Sequence, residues 1–308
     1  MRIYGFTEYG GPEVERFLDV PDLVVTPGAV LVRLRAAGLN PADIKVRSGQ
    51  RQGKVEVRFP MAMGREAAGT VVEDPSGRFR EGELVFGSCA SGFGALGGLV
   101  LLELDQTARV PDGVEAEQAA CIPVAIGTAW DALGELGVGT GGAVLVLGAG
   151  GGVGVHAAQL AAHLGARVIG VASAAKAELV ASAGAEHVES GDGWAEVVAE
   201  LAAEGVDAVV DAVGGDTLRQ AAALAKHPSA IRSSASPALA TELGGSGITR
   251  RRDASVYAEL ADLVARQDLR PVIHATYPLA EAPAAVAEVA SGHATGKTVV
   301  TALGVSPR

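Results

Sequence analysis

Two rhythms of apolar and polar positions divide the chain. Up to about residue 115 the apolar residues come in short, partly β-branched clusters, as in Ala29 to Ala37 (AVLVRLRAA) and Gly69 to Glu73 (GTVVE). Gly10-Gly11-Pro12, Pro27-Gly28 and Pro111-Asp112-Gly113 punctuate them. This pattern predicts short strands joined by turns, since glycine and proline supply the torsions that turns require. From Glu115 onward, alanine- and leucine-rich stretches with helical spacing alternate with continuous apolar runs. The runs are AVLVLG (143–148), RVIGVA (167–172), HVE (187–189), VDAVVDAVG (206–214) and a weaker SAIRSSA (229–235). Between them lie VHAAQLAAHLG, KAELVASAG, WAEVVAELAAEG and DTLRQAAALAK. A strand covered on both faces reads as a continuous apolar run, and strands alternating with helices are βαβ units. The expectation is a doubly wound α/β sheet with its ligand crevice at the carboxyl ends of the strands. After the helical SVYAELADLVARQ (255–267), strand signals return in RPVIHATYPL and KTVVTAL. The predicted layout is a β domain over 1–115 completed by 271–308, and a Rossmann domain over 116–270.

The centre of this layout is AVLVLGAGGGVG (143–154), an apolar strand running through glycines into the helical VHAAQLAAHLG. Gly148 turns the chain, the region of Gly150 and Gly151 lets backbone approach a phosphate, and Gly154 packs helix against strand. The N–H groups opening the helix face an anion. The strict G-x-G-x-x-G is not met, because Val153 stands where its last glycine would be; the fit is to Ala149, Gly151 or Gly152, and Gly154. A dinucleotide site that takes NADH usually has a carboxylate at the end of the second strand for the ribose 2′-OH. Here RVIGVA runs into Ser173-Ala174-Ala175-Lys176, with no carboxylate before Glu178. Ser173 as a donor and Lys176 as a cation suit a 2′-phosphate, so NADPH is the expected cofactor. The competing reading makes Lys176 a solvated first-turn residue.

Composition narrows the function class. Apolar residues make up 48% and charged residues 20%, with a formal charge of −11. A folded globular chain follows, and neither nucleic acid nor an anionic membrane surface is an expected partner. Cys89 and Cys121 are the only cysteines, which suits a reducing compartment and supplies no zinc-binding cysteine pair. No signal-peptide h-region opens MRIYGFTEYG and no run of about 18 apolar residues occurs, so the expected location is the cytoplasm. His156 and His163 on one helix lie about 10.5 Å apart along its axis, too far for one metal; they read as surface or core histidines. No G-x-S-x-G elbow supports a hydrolase. Arg250-Arg251-Arg252 reads as a solvated strand or loop edge.

The order of segments then becomes specific. AAGLNPADIKVRSG (36–49), MGREAAGTVVE (63–73), IPVAIGTAWDAL (122–133), the glycine stretch, VDAVVDAVGGDTL (206–218) and PLAEAPAAVAEVASGHATGKTVV (278–300) together resemble the zinc-independent quinone oxidoreductase branch of the medium-chain dehydrogenase/reductase superfamily. The resemblance implies a GroES-like β domain beside the Rossmann domain. It also implies NADPH-dependent hydride transfer to a quinone or to the C=C of an α,β-unsaturated carbonyl compound. Enoyl-thioester reduction in fatty-acid or polyketide assembly, and cofactor binding without turnover, remain the alternatives. Asn40 and Arg65 stand where the zinc enzymes of the superfamily carry cysteine and histidine, so no metal is expected.

Site roles follow from the resemblance residue by residue. Asn40 falls beside the nicotinamide as a polar partner, or is a loop residue bonding its own backbone. Lys45 polarises a substrate oxygen, or is an exposed lysine; Asp43 holds the loop. Thr128 faces the cofactor, or serves as a helix cap or core hydroxyl. The cofactor-binding set is Asn40, Thr128, Gly148, Ala149, Gly151, Gly152, Val153, Gly154, Ser173, Lys176, Val213 and Lys297. Lys297 closes over the cofactor, or guards a strand edge. Relatives often carry tyrosine where Gly191 stands here, and the match is weakest over Ser233 to Asp253. A small-molecule substrate and a homodimer are the expected partners, the dimer covering the edge of the last Rossmann strand near Gly247 to Arg252.

Overall fold

A computed structural model describes residues 1–292 and 294–302; the end of the expected 271–308 segment, from Leu303 on, and His293 lie outside the described residues. The chain forms two compact units, Met1–Val124 with Arg252–Gln267 and the segment from Ile273, and Ala125–Arg251 with Asp268–Val272.

The first unit is built on a six-stranded sheet in the order Ile273–Pro278, Lys297–Thr301, Ala29–Leu39, Glu66–Glu73, Leu84–Cys89, Leu99–Arg109. Ala29–Leu39 also pairs antiparallel with Leu99–Arg109, so four of the strands close on themselves and leave few free edges. Val30, Val32 and Leu34 alternate inward with Val85, Leu102 and Met63 in the enclosed core. A second sheet joins Glu15–Asp19, Arg2–Phe6 and Met61–Ala62. The tail returns here, as Lys297–Thr301 pairs antiparallel with Ala29–Leu39, Thr298 opposite Leu39.

Helix Ala254–Ala265 also groups with this unit, although the sequence boundary at 270 assigned it to the Rossmann domain. Its packing explains the correction. Tyr257 is fully buried, its ring 6.3 Å from Phe86 and its hydroxyl 2.9 Å from Ser88 Oγ.

The second unit is a parallel sheet in the order Ala185–Glu189, Arg167–Ala172, Ala143–Leu147, Ala208–Asp211, Ile231–Ser233, Ser246–Gly247. Strand order reverses beside Ala143–Leu147, the doubly wound arrangement whose switch point holds ligands. Leu145, Leu147, Ile169, Val209 and Ile231 carry the core beneath helices such as Trp194–Leu201 and Gly215–Ala222. The weak SAIRSSA signal yields a strand of only three residues.

The last strand ends at Gly247, and of the arginines after it Arg251 and Arg252 are exposed, as expected of a solvated edge, while Arg250 is not. Asp131, on helix Gly127–Glu135 and 1% exposed, accepts from Arg250 Nε at 2.8 Å and Arg251 Nε at 3.0 Å. Glu135, one turn on, accepts from Thr249 N–H and Arg232 Nε. A buried carboxylate is costly without such partners, which draws the segment onto the helix.

Candidate active site

In the first unit, strand Ala29–Leu39 delivers Asn40 to the start of helix Pro41–Arg47. Asn40 is extended (φ −144°, ψ 151°), the conformation of an N-cap and of a residue preceding proline. Asp43 Oδ2 accepts the Asn40 N–H at 2.8 Å, in a capping box. The Asn40 side chain, 5% exposed, reaches beyond its own loop. Its Oδ1 accepts from Lys297 Nζ at 2.5 Å and its Nδ2 donates to Glu66 Oε1 at 2.8 Å. The cation on one side and the carboxylate on the other leave the amide a single orientation. Among the described residues its second proton meets only Gly38 O, at a weak 3.5 Å.

Lys297 and Glu66 are 2% and 0% exposed and 2.9 Å apart. The ammonium also donates to Leu39 O at 2.8 Å, so Leu39 O, Asn40 and Glu66 use its three protons. Glu66 Oε2 accepts the Val124 N–H at 2.7 Å. Gly38 lies opposite Glu66 in register, and a Cβ there would stand 2.4 Å from Glu66 Oε1 and from Ala120 O. Lys297 is therefore no strand-edge guard, and its protons are engaged within the unit.

Around this network sit groups of altered acidity. Asp43 is 3% exposed with no hydrogen-bond partner for Oδ1 among the described residues. Burial pushes its carboxyl up to about 7, against the Asn40 N–H and the charges of Arg65 and Lys297, while Glu66 adds to the rise. Burial also raises both thiols, Cys121 to about 12, so neither cysteine is a nucleophilic thiolate at neutral pH. Lys45 is half-buried and outside the network; its ammonium makes no hydrogen bond or ion pair among the described residues.

In the second unit, strand Ala143–Leu147 enters the glycine turn. Gly148 has φ 75°, open to glycine at little cost. Its N–H and that of buried Ala149 both donate to Val171 O, tying the turn to the next strand. Helix Gly152–His163 has Gly151 as N-cap, and its first helical bond is Val155 N–H to Gly151 O. The N–H groups of Gly152, Val153 and Gly154 thus precede the helix's own acceptors. A Cβ on Gly154 would stand 2.1 Å from Gly148 O, which is the close strand–helix packing expected. His156 is fully buried, with Nδ1 2.5 Å from Gly152 O and Nε2 accepting Val272 N–H at 3.0 Å. Those partners assign the proton to Nδ1; His163 is exposed.

The second strand ends at Ala172, and Ser173 opens a 3-10 turn that brings Lys176 onto the glycine turn. Lys176 Cδ would be 2.3 Å from a Cβ on Gly150. Burial lowers the Lys176 ammonium somewhat. From the other side comes Val213, whose Cγ2 would be 2.9 Å from a Cβ on Gly148. Asp211, fully buried at the end of its strand, sets that loop: Oδ1 accepts from Val213 and Gly214 N–H at 2.9 and 2.8 Å, and Oδ2 from Ser233 Oγ. Thr128 is 8% exposed in the first turn of Gly127–Glu135, where Ile126 is the N-cap, so it is a buried hydroxyl rather than the cap.

The structure thus gathers Asn40 with Lys297 in one unit, and Gly148 to Gly154 with Lys176 and Val213 in the other. Sequence reasoning missed Glu66 and Asp211 as organisers. Each had a signal, a lone carboxylate inside or ending an apolar strand, in REAAGTVV and VDAVVDAVGG. Among the described residues no group of three or more His, Cys, Asp or Glu side chains is placed to hold a metal ion, and no helix is long and apolar enough to cross a membrane.

Comparison with known proteins agrees with this geometry. The alcohol dehydrogenase GroES-like domain family matches residues 26–112, and the zinc-binding dehydrogenase family matches 183–300. A quinone oxidoreductase from Pseudomonas aeruginosa is 34% identical over 96% of this chain and 98% of its own. A mitochondrial NAD(P)H oxidoreductase from Bos taurus is 30% identical over 95% of this chain and 87% of its own. A spectinabilin polyketide synthase system protein from Streptomyces orinoci is 34% identical over 90% of this chain, which spans only 13% of that protein. Among solved structures, the quinone oxidoreductase from Coxiella burnetii superposes with a TM-score of 0.87 at 27% identity, covering 98% of this chain and 99% of that one. A mycobacterial protein complexed with NADPH gives 0.85 at 30% identity, with 98% and 99% coverage.

Proposed function

Because the chain belongs to the medium-chain dehydrogenase/reductase superfamily, in its quinone oxidoreductase branch, we propose that it is an NADPH-dependent, zinc-free reductase. Its substrate is a quinone or the C=C of an α,β-unsaturated carbonyl compound. The second unit's residues fit a nicotinamide dinucleotide. The positive φ of Gly148 and the close strand–helix packing at Gly154 shape the turn, and the N–H groups of Gly152, Val153 and Gly154 suit the pyrophosphate. Ser173 and Lys176, with no carboxylate at the strand end, suit a 2′-phosphate. The bound cofactor supplies the hydride.

The observation that carries the reading is the Asn40–Glu66–Lys297 network. It holds one polar amide rigidly, with a weakly engaged proton left to donate to an acceptor oxygen. A donor that needs no reorganisation stabilises charge developing on that oxygen. Burial of Glu66 and Lys297 keeps water from competing for the pair. The polyketide synthase relative favours a second reading, reduction of an enoyl thioester by the same residues. We also place the protein in the cytoplasm as a homodimer, with the two-residue edge strand Ser246–Gly247 at the subunit contact.

Steady-state turnover of quinones, enones and enoyl thioesters with NADPH and with NADH tests the proposal. A quinone or enone is expected to give the highest kcat/KM, with NADPH preferred. Highest turnover of the thioesters selects the second reading. Binding of NADPH without turnover of any of the three makes the protein a cofactor-binding sensor instead.

A further inference from the structure

Gly150 owes its missing side chain to something other than its neighbours do. Gly148 needs its φ of 75°, and a Cβ on Gly154 would collide with the Gly148 carbonyl oxygen. Gly150 does not have a positive φ, so the left-handed region is not what requires a glycine there. Gly151 has room as well, since a Cβ there would meet only Gly148 O, at 3.4 Å. At Gly150 the obstacle is one side chain: an added Cβ would lie 2.3 Å from Lys176 Cδ, 3.0 Å from its Cβ and 3.1 Å from its Cγ. With Cδ inside contact distance and Cβ and Cγ already tight, an alanine at 150 must displace the Lys176 stem, and the ammonium moves with it.

We propose that Gly150 is a positioning residue for cofactor selection, its bare Cα forming the seat that holds the Lys176 stem and so sets where the ammonium stands. This rests on the reading of Lys176 as the partner of the 2′-phosphate. A lysine is a point charge on a flexible stem, and it discriminates between cofactors only as well as that stem is confined. The glycine turn supplies the confinement. The role differs from phosphate approach: loss of approach weakens NADPH and NADH alike, whereas loss of the seat weakens only NADPH.

The test is the ratio of kcat/KM for NADPH to that for NADH, measured for the wild type, Gly150→Ala, Lys176→Ala and the double variant. Taking the ratio cancels any shared effect on the pyrophosphate. Lys176→Ala is expected to lower it by about tenfold, the scale of one charge-assisted contact. Gly150→Ala, with the lysine still present, is expected to lower it at least about threefold, and the double variant to match Lys176→Ala, since coupled residues are not additive. If Lys176→Ala lowers the ratio and Gly150→Ala does not, the seat is refuted while the 2′-phosphate reading stands. If Lys176→Ala leaves the ratio unchanged, both are wrong. Should Gly150→Ala not fold, Gly150→Ala combined with Lys176→Gly decides the matter: folding of the pair supports the stem as the obstacle, and failure to fold overturns it.

Discussion

Lys297 and Glu66 meet at 2.9 Å where both are almost wholly shielded from water, and the Asn40 amide bridges them, accepting from the ammonium and donating to the carboxylate. Removing one member of such a pair strands a buried charge, at a cost of about 3–5 kcal/mol. Glu66→Gln and Lys297→Met are each expected to lower the melting temperature strongly. The double change to apolar residues is expected to recover much of the stability without recovering activity, because Asn40 is then unheld. Thermal melts beside turnover assays check both halves, and a double variant of full activity refutes the orienting role.

Asn40→Ala is expected to lower kcat by about 10- to 100-fold, the scale of losing one preorganised donor, while the dissociation constant for NADPH changes less than threefold or so. Lys45→Ala is expected to have the smaller effect, as Lys45 stands outside the network. Stopped-flow hydride transfer with fluorescence titration separates the two quantities. A variant with intact kcat and weakened cofactor binding reverses the assignment.

The buried Asp43 gives stability a distinct pH dependence. Its folded-state carboxyl is raised to about 7, above the ordinary 3.8. Between those values the unfolded chain has released the proton and the folded chain retains it, so this group's contribution falls as pH rises through the window and levels off above it. Asp43→Asn mimics the protonated form and can still accept the Asn40 N–H. Its melting temperature relative to wild type is expected to rise steadily from pH 5 to pH 7.5. A difference independent of pH removes the elevated carboxyl from the account.

Activity is expected to survive prolonged dialysis against a chelator. Asn40, which the sequence resemblance sets where the zinc enzymes carry a cysteine, has its amide occupied by Glu66 and Lys297. Activity lost on dialysis and regained with zinc contradicts the zinc-free mechanism.

Sedimentation is expected to show a species of two chains at micromolar concentration, because Ser246–Gly247 leaves a sheet edge available to a second copy. Substituting proline for Ser246 disrupts this edge strand and is expected to shift the equilibrium toward the 30.9 kDa monomer. A wild type that sediments only as a monomer ends the proposal.

Much of the architecture was legible because its signals are local. Buried parallel strands announce themselves as apolar runs, and AVLVLG and RVIGVA became Ala143–Leu147 and Arg167–Ala172 within a residue or two. The glycine turn was legible for the same reason, since the torsion at Gly148 and the packing at Gly154 involve residues within seven positions of one another. The absence of a carboxylate after the second strand could likewise be read directly. What the sequence by itself determined is thus the two folds, the anion-ready turn and the candidate cofactor class. Only the tertiary structure decided which polar residues act together. Lys297 lies 257 positions from Asn40, and no periodicity links them; strand pairing alone brings both onto Glu66. Arg250 read as part of a solvated run until Asp131, more than a hundred positions earlier, claimed it. Burial explains the division: a charge withdrawn from water must find its partner in space, wherever in the chain that partner lies.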